Sequence, residues 1–384
     1  MNKKLIAAAV AATVAPVAAQ AQVSVYGRIN NAVDIKDIAG QKAMLPIDNS
    51  GAQGTAGTAR TSAEREPDAG TTDVSGVASR FGVRYSGDIG GGMTALGRYE
   101  FATTTDKEGP GVNDTRIATV GLQGPFGTIN IGNQWSAFFN TVGTHVSPTY
   151  SLGYYLYSSV AGMPFRASNT VKYSNNFGPM YVEIDARFDG TTDDGTENGG
   201  QSEQADAEKI HGDGFGIGIS MPLANNLTLA LAFDAEDGNA ESTEDDEDRV
   251  GAALKWSGPV EFAVGYTNHT DENTANSYDD VDVTGIYVNA AGQINQQTRW
   301  FLSYATADTA VAVGDEVANL GTDGGARTAI ADTDDILDDA TQVVMGLYYT
   351  LGGGLRMYYE GTMLDGGPSR WDGMRHLLGM RVDF

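Results

Sequence analysis

The chain has 384 residues, no cysteine and 50 glycines, and its 50 acidic against 24 basic residues give a formal charge of −26. So strong a negative charge repels phosphate backbones and excludes nucleic acid as a partner. Without cysteine there are no disulfides, so an exported form of this chain must be held by its packing and its hydrogen bonds.

The first 21 residues are typical of a secretory signal peptide. Lys3 and Lys4 precede an apolar run from Leu5 to about Val17, and Ala19-Gln20-Ala21 forms a cleavage site. We therefore predict that residues 1–21 are removed and that residues 22–384 form one domain. That domain keeps 22 basic and 50 acidic residues, a formal charge of −28. No later stretch reaches the ~18 consecutive apolar residues of a membrane helix.

The rest of the chain alternates between apolar and polar residues with a period of two. In the first such stretch, Val23, Val25 and Ile29 alternate with Ser24 and Arg28. This period predicts β-strands with one apolar face. The same pattern recurs to the end of the chain. We predict sixteen strands, at 23–35, 79–87, 93–104, 115–123, 128–135, 167–175, 179–189, 213–222, 226–235, 249–257, 259–269, 280–291, 297–306, 341–350, 354–364 and 375–384.

Short and long connections alternate between these strands. Seven short ones are clusters of Gly, Pro and Asn, which suit tight hairpins. Eight long ones are polar or acidic and include 36–78, 136–166 and 307–340. Strands of about 9–11 residues, even in number and joined in this way, are typical of a transmembrane antiparallel β-barrel. Closure is required because each unpaired backbone group in hydrocarbon costs several kcal/mol.

One long connection differs from the others in its charge. The segment from Trp135 to Arg166 contains neither Asp nor Glu, and it is rich in aromatic residues. We predict that this third loop folds back inside the barrel and narrows its lumen.

Several local sequences resemble those of the sixteen-stranded, trimeric general diffusion porins of Gram-negative bacteria. They are Val25-Tyr26-Gly27-Arg28, Ser79-Arg80-Phe81-Gly82-Val83, Gly124-Pro125-Phe126-Gly127, Ser168-Asn169-Thr170-Val171-Lys172-Tyr173-Ser174 and the terminal Phe384. The resemblance covers essentially the whole mature chain. It implies a water-filled channel for passive diffusion of small hydrophilic solutes and ions across the outer membrane.

If the apolar side chains face lipid, the alternate side chains face the lumen. By this rule we expect a set of charged residues to line the pore: Arg28, Arg80, Arg84, Arg98, Glu100, Arg116, Arg166 and Lys172. The resemblance implies that Arg28, Arg80, Arg116 and Arg166 form a basic ladder, which in this family faces acids on the third loop. Here the loop has no acid, and Tyr150 and Tyr154 are the residues that we expect at the constriction. The field across the pore should therefore be weak, with acidic outer loops opposing the basic ladder.

The resemblance also implies a homotrimer, in contact with outer-membrane lipid and lipopolysaccharide. In the wall buried between subunits we expect small outward residues, namely Gly27, Ala32, Thr119 and Gly121.

Other functions remain open. The channel could be selective for a sugar or an anion, with the loop tyrosines as a contact surface. The barrel could instead carry a surface adhesin or receptor formed by the loops 36–78 and 307–340. No sequence motif of a metal site, a phosphate loop or a nucleophile elbow is present, so we expect neither an enzyme nor a cofactor.

Overall fold

The fold comes from a computed structural model of the full chain. It describes residues 22–39, 71–107, 111–112, 114–146, 152, 157, 161–188, 214–236, 246–272, 281–311, 340–365 and 372–384. The predicted signal peptide, residues 1–21, lies outside the described residues.

Seventeen strand segments follow each other along the chain. They are β1 Gln22–Ala39, β2 Thr71–Gly76, β3 Arg80–Gly90, β4 Met93–Ala102, β5 Thr115–Gly124, β6 Gly127–Trp135, β7 Arg166–Phe177, β8 Met180–Arg187, β9 Gly214–Ala224, β10 Leu227–Glu236, β11 Asp246–Ser257, β12 Val260–Glu272, β13 Val281–Gln293, β14 Thr298–Val311, β15 Ala340–Gly352, β16 Leu355–Asp365 and β17 Asp372–Asp383. A short helix, 137–146, follows β6.

All the strands belong to one closed antiparallel sheet. From β3 to β17 each strand pairs with the next in the chain, β1 pairs with both β2 and β3, and β1 also pairs with β17 from Arg28 opposite Asp383 to Ala39 opposite Asp372. The strand ends that the short connections join lie together at one end of the barrel, here called the short-turn end. The strand ends before and after the long connections lie at the other end, here called the long-loop end. The prediction of a closed sixteen-stranded barrel is confirmed, because β2 and β3 share one strand position.

The shared position arises because β2 and β3 run in line beside β1. Residues 31–36 of β1 pair with β2, and residues 22–28 pair with β3. Between the two segments, Ala78 has a left-handed backbone with φ of 50°. The hydroxyl of Ser79 accepts a hydrogen bond from the backbone N–H of Asn30 at 3.0 Å, which fills the gap in the ladder. The sequence prediction placed 71–76 in the loop 36–78, and that assignment was wrong.

The two faces of the sheet differ as the alternation predicts. Large apolar side chains such as Val25, Val264 and Leu378 are exposed on the outside, as they must be to contact lipid. The inward positions carry Asn, Asp, Glu, Arg and Thr. Among the described residues, no helix is long and apolar enough to cross a membrane.

A bulge in β5 changes which face its residues occupy. The pairing with β4 shifts between Glu100 opposite Ile117 and Phe101 opposite Thr115, so Arg116 and Ile117 both belong to the inner face. Beyond the bulge, Thr119 and Gly121 therefore face inward. Ala32 is also inward, buried in a cluster with Tyr358 and Leu377. Of the four small residues expected on the outer face, only Gly27 lies there.

Candidate pore constriction

The segment after β6 begins with a helix whose first turn is fixed by Ser136. The Ser136 hydroxyl accepts a hydrogen bond from the backbone N–H of Phe139 at 3.0 Å, a common way to begin a helix. The backbone N–H of Ser136 donates to the carbonyl of Phe165 at 3.0 Å. The two ends of the loop are thus joined where it leaves the wall.

Carboxylates of the barrel wall hold this acid-free segment. Asp185 on β8 accepts a hydrogen bond from the backbone N–H of Ala137 at 2.6 Å. Glu183 accepts one from the side-chain amide of Asn140 at 2.8 Å. On the other side of the barrel, Glu360 of β16 accepts one from the backbone N–H of Leu152 at 3.1 Å. The loop therefore reaches across the lumen between β8 and β16.

Glycines on the inner wall let the helix approach the strands. A Cβ at Gly218 of β9 would lie 2.6 Å from the backbone carbonyl oxygen of Ala137, and one at Gly251 of β11 would lie 2.5 Å from the Phe138 ring. A Cβ at Gly265 of β12 would overlap Val146. Each of these glycines sits at an inward position, so the helix 137–146 packs on the inner surface of β9 to β12.

Aromatic rings fill the space between the outgoing and returning parts of the loop. Phe139 stacks on Trp135 with ring centres 4.8 Å apart, and it contacts Phe165 edge-on at 4.9 Å. Tyr157 is fully buried between these rings and Tyr287 of β13. The buried side chains of the loop thus form a small hydrophobic core with the wall: Phe138, Phe139, Val142, Val146, Tyr157, Ala161 and Met163. Leu152 belongs to a second cluster, with Tyr348 and Tyr358.

His145 is half-buried beside this core, outside the membrane-spanning strands. Burial lowers its pKa below the ordinary value of a histidine, and the positive charge of Lys255 lowers it further. Its Nε2 is buried without a hydrogen-bond partner among the described residues. The imidazole is therefore neutral at pH 7.

The inner wall formed by β1, β3, β4, β5, β16 and β17 carries a cluster of arginines. Three of them converge on Glu100, whose side chain is 1% exposed: Arg116 Nε at 3.0 Å, Arg98 Nη2 at 2.8 Å and Arg80 Nη1 at 3.5 Å. Four of the predicted pore-lining residues thus meet at one point.

A second part of the same cluster surrounds Asp383, the last residue of β17. Arg28 Nε lies 3.1 Å from its carboxylate, Arg381 Nε 2.9 Å and Arg356 Nη1 3.6 Å. Arg28 is also directly opposite Arg80 in the sheet, which joins the two parts.

The cluster formed by these two parts is here called the arginine cluster. It has six guanidinium groups and two carboxylates, a formal charge of +4. The sequence analysis did not predict Arg381 and Arg356 among the residues that line the pore. The apolar run of Leu378, Met380 and Val382 on the outer face already indicates that Arg381 points inward.

Two other predicted basic residues lie at the edge of this region. The guanidinium carbon of Arg166 lies 5.8 Å from the centre of the Trp135 ring, and that of Arg116 lies 5.9 Å from it. Lys172 is 6% exposed, and its ammonium group contacts the carbonyl of Trp135 at 3.0 Å and Glu183 at 3.4 Å. Lys172 therefore supports the start of the loop, and a role in lining the pore stays a prediction. Tyr150 and Tyr154 lie outside the described residues.

Comparison with known proteins identifies the family. A family model described as Gram-negative porin matches residues 7–367. The chain belongs to the Gram-negative porins. It is therefore a channel-forming protein of the bacterial outer membrane.

A curated relative supports this assignment over part of the chain. The major outer membrane protein P.IA of Neisseria meningitidis serogroup C is 31% identical over 138 residues. The match covers 36% of this chain and about a third, 34%, of that protein.

Solved porin structures share the whole fold. OmpT of Vibrio cholerae in its trimer form has a TM-score of 0.63 at 13% identity and covers 95% of this chain and 99% of its own. An anion-selective porin from Comamonas acidovorans has a TM-score of 0.60 at 16% identity and covers 95% of this chain and 100% of its own. At such low identity the likeness shows the fold alone.

Proposed function

We propose that this porin is a general channel for passive diffusion of small hydrophilic solutes and ions, and that residues 136–166 form its constriction. The proposal includes no catalytic step and no cofactor. The observation that carries it is the placement of the described loop residues. They pack on the inner faces of β8 to β13 and β16, and the arginine cluster lies on the inner faces of β1, β3, β4, β5, β16 and β17, where Arg116 approaches Trp135 at the start of the loop.

The charges around the constriction favour anions locally. The arginine cluster has a formal charge of +4, and no loop carboxylate between Trp135 and Arg166 opposes it. The acids of the long connections act in the other direction by attracting cations to the long-loop end. Because charges are screened over about 10 Å at 0.1 M salt, the constriction should dominate selectivity at high salt. We propose a weak preference for anions at 1 M salt.

The assembly we propose is a homotrimer in a membrane of lipid and lipopolysaccharide. Its support is the trimer form of the similar OmpT structure. Chemical cross-linking of the folded protein should give a ladder that ends at three chains.

Planar-bilayer conductance of the purified protein tests the pore. Steps that open in groups of three, with a larger conductance after deletion of residues 137–164, would support both the pore and the constriction. A folded barrel that does not conduct would contradict the proposal and would favour an adhesin or receptor. The reversal potential in a salt gradient around 1 M gives the sign of the selectivity independently.

A further inference from the structure

A recess in the inner wall lies between the loop helix and the short-turn end. Its volume is about 510 Å³, and inward residues of β1, β3, β4, β5, β6 and β7 line it together with Asn140 of the helix. Ligand pockets for small molecules commonly have volumes of ~300–1,000 Å³. The recess is therefore large enough for a solute of the size of a sugar.

The charge of the recess is opposite to that of the chain. Its fifteen lining residues include Arg84, Arg98 and Lys172 and no carboxylate. In the whole chain, acids outnumber bases by 50 to 24. A wall with only positive charge inside such an acidic protein favours an anionic ligand.

Among the three basic residues of the recess, Arg84 differs from the other two because it has no ion-pair partner in the described part of the chain. Its guanidinium carbon lies 4.0 Å from the centre of the Tyr26 ring, which holds it by a cation–π contact. In the described part of the chain, no carboxylate lies within ion-pair distance of Arg84, and its side chain is exposed. By contrast, Arg98 is paired with Glu100 and Lys172 with Glu183.

Tyr26 is itself fixed in place, so Arg84 is oriented before any ligand arrives. The Tyr26 hydroxyl donates to Glu100 at 2.8 Å and accepts from Arg98 Nε at 2.8 Å. A planar guanidinium held in one orientation presents two parallel N–H donors, which match a carboxylate or a phosphate.

The remaining polar groups around Arg84 are neutral. Ser24 lies directly opposite Arg84 in the sheet, and Ser86 lies opposite Gln22. Thr119 and Asn130 add a hydroxyl and an amide from β5 and β6. Such groups form hydrogen bonds with hydroxyls, so they complement a ligand that carries hydroxyl groups beside its charge.

We propose that the recess is a binding site for small hydroxylated organic anions, such as sugar acids or sugar phosphates, and that Arg84 binds the anionic group. The proposal deepens the proposed function, because a solute crossing the constriction would be retained here before leaving at the short-turn end.

Blockade of single-channel current tests the site. Gluconate and glucose 6-phosphate, added at the short-turn side, should interrupt the current in a saturable manner, and uncharged glucose should not. Stronger binding of the phosphate would indicate phosphate esters as the ligands, and stronger binding of gluconate would indicate carboxylates.

The variant Arg84→Gln should weaken blockade about tenfold, the loss expected for a charge-assisted hydrogen bond. The matched control is Arg299→Gln on β14, which removes the same charge from another part of the inner wall. Arg299 is paired with Glu261 at 3.0 Å, and Glu261 keeps a second partner, Lys255, at 3.2 Å. The control should change blockade less than twofold. Equal effects of the two variants, or blockade by glucose as strong as by gluconate, would contradict the proposal that Arg84 binds anions in this recess.

Calorimetric titration of the detergent-solubilised protein with gluconate tests the binding site independently of whether the protein conducts ions. Binding that depends on Arg84 in a protein that does not conduct would refute the pore and support the site. Normal conductance, with no binding heat and no blockade, would refute the site alone.

Discussion

The carboxylate of Asp185 accepts a hydrogen bond of 2.6 Å from the backbone N–H of Ala137, 48 positions earlier in the chain. The donor is one of the orphan N–H groups in the first turn of the loop helix, and the acceptor is a side chain of the barrel wall. Asp185 of the barrel wall thus caps the loop helix, a role that in an ordinary helix belongs to the residue just before its first turn.

We expect Asp185→Ala to loosen the start of the loop. A hydrogen bond to a charged acceptor contributes about 1.5–3 kcal/mol. Its loss should increase the current noise of the open channel and its mean conductance. Asp185→Asn keeps an acceptor oxygen at the same place and should have a smaller effect. Equal noise in the two variants and the natural protein would show that this bond does not hold the loop.

We expect Gly218→Ala to displace the helix from the wall. The added Cβ would lie 2.6 Å from the carbonyl oxygen of Ala137 and would overlap Thr141. Overpacking of this kind commonly costs about 1–3 kcal/mol. The control is Gly97→Ala, where the nearest atom is 3.4 Å away, an ordinary contact. Single-channel conductance should rise for Gly218→Ala and stay unchanged for Gly97→Ala; the same result for both variants would contradict the close approach.

Opposite changes of charge at the Arg28–Asp383 pair should shift selectivity in opposite directions. Arg28→Gln removes a positive charge and should favour cations, whereas Asp383→Asn should favour anions. A screened unit charge at ~8 Å in water shifts the energy of an anion and of a cation by about 0.2–0.4 kcal/mol in opposite directions, so the ratio of their permeabilities should change about 2- to 4-fold. Reversal potentials in a salt gradient measure both variants. Shifts of the same sign would mean that the variants act through structure rather than charge.

The loop core should weaken in acid because of His145. Its pKa in the folded loop is lower than in an unfolded chain, where it is about 6.5. The unfolded segment therefore binds a proton that the packed loop does not, and the stability of the loop falls as the pH falls below about 6.5. Channel noise should rise between pH 7 and pH 5. In His145→Gln this rise should be smaller; an identical pH profile would exclude the histidine as its source.

The barrel could be predicted from the sequence because lipid imposes a strict alternation. Strand ends were predicted less well where strands continue beyond the membrane. β1 extends to Ala39 and β11 begins at Asp246, in stretches whose sequence does not alternate between apolar and polar residues. There the hydrogen-bond ladder continues without a hydrophobic signal. The segment 71–76 was missed for the same reason.

The candidate site was predicted in part. Alternation alone indicates that Arg28, Arg80, Arg98 and Glu100 point inward, and they lie in one cluster. The bulge at Arg116 could not be predicted, because it depends on how β5 pairs with β4. The wall residues that hold the loop could not be predicted either. Leu152 binds Glu360, 208 positions away, and nothing in the local sequence of either residue indicates the other.

The absence of acids from the loop has a consequence for how such a channel can change. In the constriction that we propose, the segment 136–166 sets the width of the pore, whereas the charged groups described here belong to the strands. A shorter or longer loop would therefore alter the size limit for solutes and leave the charge preference intact. Substitutions on the strands would do the reverse, so size and charge can be engineered separately in this protein.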